Sequence, residues 1–330
     1  MCIRDRIKSV HAGSTAAAAM STVHITIESC SFLNTSGIDF ELSHSPLQQI
    51  LILVTNCTMN GGVVRGHPWG FLHVLGSGVK IQVMTGFWNS VGHTNVFTLS
   101  QVTISKNTFK NLSGIEGIGI AVQSIHTGHG DPCACDILVR IEQNMFSSNW
   151  GLNYASIIDA THVWLDESES QVCKIEYAEP AIIVSDNFIS WNRAEFSSCL
   201  GFVNETNNFT EYIFLFRRWD IWEECQARDV GKGLLHFNGY KNSYFARFAN
   251  NTITENLAMG LSIIDSHVVF NGSSVISKNY APYGGGIFMS DRSLMLLVNG
   301  TNVIVSTNFA AFCGGGIFVS PMNVKIRNTQ

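Results

Sequence analysis

Charge is scarce in this chain. Asp, Glu, Lys and Arg make up 14% of it, and 20 basic against 25 acidic side chains leave a net charge of −5. No run of like charges and no basic stripe with interleaved aromatics occurs, which argues against a nucleic-acid partner. Long apolar runs are missing too. The best, residues 50–54 and 212–216, have the length of a strand, far short of the roughly 18 residues that cross a bilayer, so no membrane span is expected in this stretch. The amino end lacks the basic, apolar and small-residue zones of a signal peptide; the run Ala16 to Ala19 is too short and too weakly hydrophobic. Proline is rare, at 6 residues, and no amphipathic helical pattern of ten residues is visible.

What remains is a β-rich, loop-rich balance: 45% hydrophobic residues and 29 glycines, with Ser, Thr and Asn where Lys and Glu would dominate a helical protein. The first six residues, Met1-Cys2-Ile3-Arg4-Asp5-Arg6, back-translate to a string like a transposon-end sequencing adapter. The expectation is that residues 1–6 are an artefact and that residues 7–330 form a single domain, cut at both ends. The carboxyl end carries the start of a repeat with no polar cap behind it.

An internal repeat organises the chain. Its pattern is an apolar residue, two of any kind, Asn or Cys, one of any kind, then Phe, Ile, Met or Ala. Ile27-Glu28-Ser29-Cys30-Ser31-Phe32 and Val54-Thr55-Asn56-Cys57-Thr58-Met59 are the first copies; six more centre on Asn107, Asn144, Asn187, Asn251, Asn279 and Asn308. The separations of 27, 50, 37, 43, 64, 28 and 29 residues read as a unit of about 28 with insertions. The 50-residue gap reads as two units, with a worn copy at Ile81-Gln82-Val83-Met84. The 64-residue gap likewise holds a second marker, Phe237-Asn238-Gly239, matching Phe270-Asn271-Gly272 and Val298-Asn299-Gly300.

A position that returns after each circuit stacks on its own counterpart, so the strands must be parallel and successive rungs about 4.8 Å apart. The expected fold is all-β: a right-handed parallel β-helix of about ten rungs with loop insertions. Cys30, Cys57, Asn107, Asn144, Asn187, Asn251, Asn279 and Asn308 then form one inward column. Its amides satisfy backbone groups freed at a corner and join the next amide along. The triplets Gly284-Gly285-Gly286 and Gly314-Gly315-Gly316 suit corners that need positive φ or close backbone approach.

With Asn279-Tyr280-Ala281 and Asn308-Phe309-Ala310 each leading into Gly-Gly-Gly-Ile-Phe, the chain resembles the pectin-lyase-like right-handed β-helix families. It looks most like the repeats of polymorphic outer-membrane-protein passengers and their animal extracellular relatives. The resemblance is strong over residues 270–320 and weaker toward the amino end. It implies the fold; that fold hosts lyases, hydrolases, adhesins and stalks alike.

Gly128-His129-Gly130, with Arg140-Ile141 nearby, resembles a motif of β-helix polygalacturonases, but the adjacent aspartate pair of those enzymes is missing from this chain. Asp166-Glu167-Ser168-Glu169 is the only dense acidic group and lies in an insertion, where a solvated loop is the simpler reading. The histidines and Cys133-Ala134-Cys135 lack zinc spacing. No catalytic residue, metal or cofactor is expected.

Acceptor sequons Asn-x-Ser/Thr stand at Asn34, Asn56, Asn111, Asn204, Asn208, Asn250, Asn271 and Asn299. With 27 Asn and 53 Ser plus Thr in 330 residues, chance predicts about 4, half the number present. Cys133, Cys135, Cys173, Cys199 and Cys225 fall in or beside insertions, where disulfides would tie long loops in an oxidising compartment. The expected protein is therefore an extracellular, glycosylated, non-enzymatic β-helix module for adhesion or recognition of an extracellular protein or glycan. The alternative is a polysaccharide lyase or hydrolase of the same fold. Insertions 124–136, 166–180 and 204–233 are the expected recognition face, the third carrying Tyr212, Phe214, Phe216, Trp219 and Trp222.

Overall fold

The computed structural model describes residues 21–33, 37–43, 48–61, 78–85, 100–114, 118–126, 137–151, 157–164, 182–194, 235–239, 244–264, 266–290, 293–319 and 325–328. They form a parallel β-helix, with no helical element among the described residues. Each circuit lays down one strand in each of three sheets. Sheet 1 has nine strands: Ser21–Glu28, Gln48–Thr55, Ser100–Ser105, Ile137–Glu142, Ile182–Ser185, Tyr244–Ala249, Ser266–Asn271, Leu294–Leu297 and Lys325–Asn328. Sheet 2 has eight short strands: Ser31–Leu33, Thr58–Asn60, Thr108–Lys110, Met145–Ser147, Phe188–Ser190, Thr252–Thr254, Ser273–Ser277 and Asn302–Ser306. Sheet 3 has eight: Ile38–Ser43, Val79–Thr85, Ile120–His126, Ile158–Trp164, Leu235–Gly239, Leu261–Ile264, Ile287–Ser290 and Ile317–Val319.

Alternation along each strand builds the interior. Val102 and Ile104 in sheet 1, Phe109 in sheet 2 and Ile120 and Val122 in sheet 3 all point inward and are buried. Like stacks on like from rung to rung: Phe109 lies on Phe146 with ring centroids 4.7 Å apart and planes 6° from parallel. Phe288 on Phe318 and Tyr280 on Phe309 repeat the arrangement.

The pairing corrects the repeat boundaries. Val54 pairs directly with Ile104, and Cys57 donates its N–H to Asn107 Oδ1, so the 50-residue gap is one rung with an insertion. Ile81 is no worn copy of the Asn motif; it belongs to sheet 3, beside Phe40 and Val122. The 64-residue gap is also a single rung, for Asn187 bonds directly to Asn251. Phe237-Asn238-Gly239 lies in sheet 3 and Phe270-Asn271 in sheet 1, so these look-alike markers are not counterparts. Among the described residues the longest sheet has nine strands.

The corners follow one rule. Twelve non-glycine described residues have positive φ, between 52° and 58°, and each stands immediately before a position that turns inward. Ser29, Asn56, Lys106, Gln143, Asp186 and Asn250 precede Cys30, Cys57, Asn107, Asn144, Asn187 and Asn251. Asn111, Ser148, Trp191, Glu255, Lys278 and Thr307 precede Leu112, Asn149, Asn192, Asn256, Asn279 and Asn308. A left-handed residue costs about 1–2 kcal/mol with an L side chain. Thr307, β-branched and exposed, carries that strain without compensation from its own side chain. Thr307→Asn is expected to raise stability by about 1 kcal/mol, read as a shift of the urea midpoint at constant slope.

His267 sits in sheet 1 between Phe245 and Leu294 of the flanking strands, and burial holds its imidazole below the ordinary value of 6.5. The unfolded chain then takes up a proton that the folded chain refuses. Stability should be intact above about pH 6.5 and fall as the pH drops below it. The change in unfolding midpoint between pH 7.5 and pH 5 should shrink in His267→Gln.

Candidate functional site

Two amide columns run along the corners of sheet 2. In the first, Asn107 Nδ2 donates to Val54 O at 2.9 Å and to Asn144 Oδ1 at 3.1 Å, and the Asn107 N–H also donates to Asn144 Oδ1. Asn144 repeats this set toward Asn187, and Asn187 toward Asn251. Cys57 fills the position with a thiol that donates to Ile27 O at 3.7 Å, the counterpart of the amide bond to Val54 O. Burial pushes its pKa up, while the backbone N–H of Cys30 partly opposes this.

The second column was not recognised in the sequence. It runs through Asn149, Asn192 and Asn256 to Asn279 and Asn308. Asn279 and Asn308 therefore do not continue the column of Asn251. That column passes instead to Ser274, whose Oγ accepts the Asn251 N–H. The missed signal is a second Asn five residues after the first, present at Asn144/Asn149, Asn187/Asn192 and Asn251/Asn256. Both columns are scaffold: their amides are consumed by one another and by backbone carbonyls.

The outer surface holds what is free to act on other molecules. Segments 62–77 and 195–234 lead into strands of sheet 3, and segments 86–99, 127–136 and 165–181 lead out of them. All five long insertions thus border one sheet. On the outward face of that sheet one register column holds Asp39, Lys80, Ala121 and Asp159, and further along Ser262 and Phe288. Asp159 and Ser262 are buried although their strand neighbours Ile158, Ala160, Leu261 and Ile263 fill the interior, so the outer face is covered at its middle.

Among the described residues, carboxylates on this face do not assemble a glycosidase pair across rungs. Asp39 and Asp159 are three rungs apart, about 14 Å at the rung spacing, beyond the ~9.5 Å limit for two carboxyls flanking one bond. No cluster of three or more metal-ligating side chains occurs among the described residues. No helix of the described residues is long and apolar enough to cross a membrane.

Of the sequons, Asn56, Asn111, Asn250, Asn271 and Asn299 are exposed, while Asn34, Asn204 and Asn208 lie outside the described residues. The left-handed corner, φ 53° at each, aims Asn56 and Asn250 outward. Asn111 Nδ2 donates to Asn60 Oδ1 at 3.0 Å, and Asn250 Nδ2 donates to Asp186 Oδ1 at 3.2 Å. One middle stretch of the surface is apolar: Met145, Phe188, Trp150 and Trp191 are exposed on neighbouring rungs, and the Arg193 guanidinium lies 5.3 Å from the Trp150 ring centre.

His129, the acidic group 166–169, the aromatics of 204–233 and Cys133, Cys135, Cys173, Cys199 and Cys225 lie outside the described residues. Cys30 and Cys57 are free thiols, so the expected disulfides have no representative among the described residues. Residues 1–20, including the adapter-like hexapeptide, are also outside them. Comparison with family models, with curated proteins and with solved structures finds no match in any of the three.

Proposed function

We propose that the chain is a non-enzymatic extracellular β-helix module that recognises a glycan or protein through the insertions that border sheet 3. The observation that carries this reading is that all five long insertions join strands of one sheet. Insertions along one side of a rigid sheet are the arrangement in which solenoids present binding residues. Its excess of sequons supports a secretory origin, and the exposed corner positions of Asn56, Asn111 and Asn250 leave room for glycans. Secreted from a glycosylating host, the protein should carry glycans on several of these sites, seen as a mass loss on enzymatic removal and mapped by peptide mass spectrometry.

The test of recognition is a binding screen of the secreted protein against acidic and neutral polysaccharides and extracellular-matrix proteins. Replacing residues 195–234 by a short Gly/Ser linker keeps the Asn187–Asn251 rung, because loop closure depends only weakly on length. The shortened protein should fold and lose its binding partner; retained binding would move the recognition surface elsewhere.

A second reading, a polysaccharide lyase or hydrolase, draws on one feature: Asp39 stands on the outward face of sheet 3 beside Lys80 of the next rung. Incubation with pectic and other acidic polysaccharides is expected to yield no new reducing ends and no unsaturated products. Cleavage lost in Asp39→Asn or His129→Ala would establish the enzyme instead.

A further inference from the structure

We propose that Trp150 is the docking platform for the first sugars of a glycan carried on Asn111, so that this glycan lies along the rungs as part of the surface. The inference rests on the secreted, glycosylated reading above and adds a defined protein–sugar contact to it. The sequon Asn111-Leu112-Ser113 turns a corner: Asn111 is left-handed and exposed, Leu112 is buried, and Ser113 opens the short strand Ser113–Gly114.

Trp150 is the direct register partner of Ser113 in the next rung, and Arg193 is the partner of Trp150 in the rung after that. The Arg193 guanidinium lies over the ring, 5.3 Å from its centre. One face of the indole is thus held by the rung beyond it, and the other is turned toward the rung that carries the sequon. Ser113 is too small to cover that face, and Trp150 keeps 38% of its surface exposed.

The acceptor amide leaves in a compatible direction. One N–H of Asn111 Nδ2 is directed at Asn60 Oδ1, in the rung on the side away from Trp150. The other N–H, about 120° away in the amide plane, is directed away from Asn60, which leaves a hydrogen that a glycosyl group can replace. Trp191 stands in the same corner column two rungs along, about 10 Å from Asn111 at the rung spacing, with 67% of its surface exposed. The carbon-bound hydrogens on one face of a pyranose carry slight positive charge and meet the negative face of an aromatic ring, so an indole standing beside an N-linked sugar is a stacking surface.

The test uses the full chain secreted from a glycosylating host. Peptide mass spectrometry should find Asn111 occupied, and hydroxyl-radical footprinting should show Trp150 protected in the glycosylated protein. Enzymatic removal of the glycans, and separately Asn111→Gln and Ser113→Ala with the other glycans intact, should each raise Trp150 oxidation severalfold. Circular dichroism identical to the parent's guards against unfolding as the cause, and enzymatic removal needs no variant at all. Unchanged Trp150 oxidation with Asn111 occupied overturns the docking while leaving the glycosylated reading in place. An unoccupied Asn111 beside glycans on Asn271 or Asn299 does the same. An absence of glycan at every sequon overturns both.

Discussion

Asn187→Ala is expected to cost about 4 kcal/mol of unfolding free energy. The side chain is buried and occupied on every side. Its Nδ2 donates to Ile141 O at 2.9 Å and to Asn251 Oδ1 at 3.0 Å, and its Oδ1 accepts from the N–H and Nδ2 of Asn144 at 2.9 and 3.1 Å. Alanine leaves Ile141 O and the Asn144 N–H buried without these partners, at roughly 1–3 kcal/mol each, and loses the amide-to-amide bonds as well. Asn187→Cys is a graded control. Cys57 shows that a thiol at this position keeps the carbonyl bond and accepts a backbone N–H, so about half of the loss should be recovered. Equilibrium urea unfolding of the three proteins reads the result. A loss under about 1 kcal/mol in Asn187→Ala would mean that the column is an ornament of packing rather than a support.

Gly78→Ala should damage the protein by a different route. A Cβ at Gly78 would stand 1.8 Å from Gly119 O and 2.8 Å from Ile118 O, both backbone atoms that cannot swing aside. Gly119 is confined in turn, with Phe146 Cε1 at 2.6 Å from its own would-be Cβ. The two glycines lie at the same point of neighbouring rungs, where Val79 N–H donates to Gly119 O and Ile38 N–H to Gly78 O, each at 2.8 Å. Forcing the rungs apart breaks those bonds. The expected cost is about 3 kcal/mol or more, the upper end of overpacking, seen as a low yield of folded protein and a lowered urea midpoint. Gly300→Ala separates this steric effect from backbone conformation. Nothing lies within 4 Å of its Cβ position, and its φ of 81° leaves only the left-handed penalty of about 1–2 kcal/mol.

Much of the fold was legible. The recurring apolar-x-x-Asn/Cys pattern correctly pointed to parallel stacking and to short strands such as Thr108–Lys110. The Gly triplets showed both of their expected uses: Gly284 and Gly314 have φ of 54° and 69°, and Cβ positions at Gly285 and Gly286 would meet backbone oxygens at 2.3 and 2.4 Å. Register was not legible past Asn251. There the spacing of 28 residues to Asn279 imitated a rung, whereas the true rung is 23 residues and ends on Ser274. Serine accepts the one N–H that the corner requires, so the column changed residue type without losing its bond.

The candidate surface was legible only in its parts. Three of the insertions showed in the sequence as an excess of length, while segments 62–77 and 86–99 read as part of an additional repeat unit; that all five border sheet 3 follows from which strand each one joins. Trp150 and Trp191 carried no signal at all, since two residues decide whether a corner side chain faces in or out: Leu112 is buried and Asn111, one residue earlier, is exposed.

The amino-acid sequence by itself determined the architecture of this protein, because a repeated pattern of inward apolar residues and corner amides can bury itself only against copies of itself. Only the tertiary structure decided which copies are neighbours. Loop length has little bearing on the free energy of closing a rung, so circuits of 23 and 64 residues stack with the same bonds, and no count along the chain reveals which residues share a face.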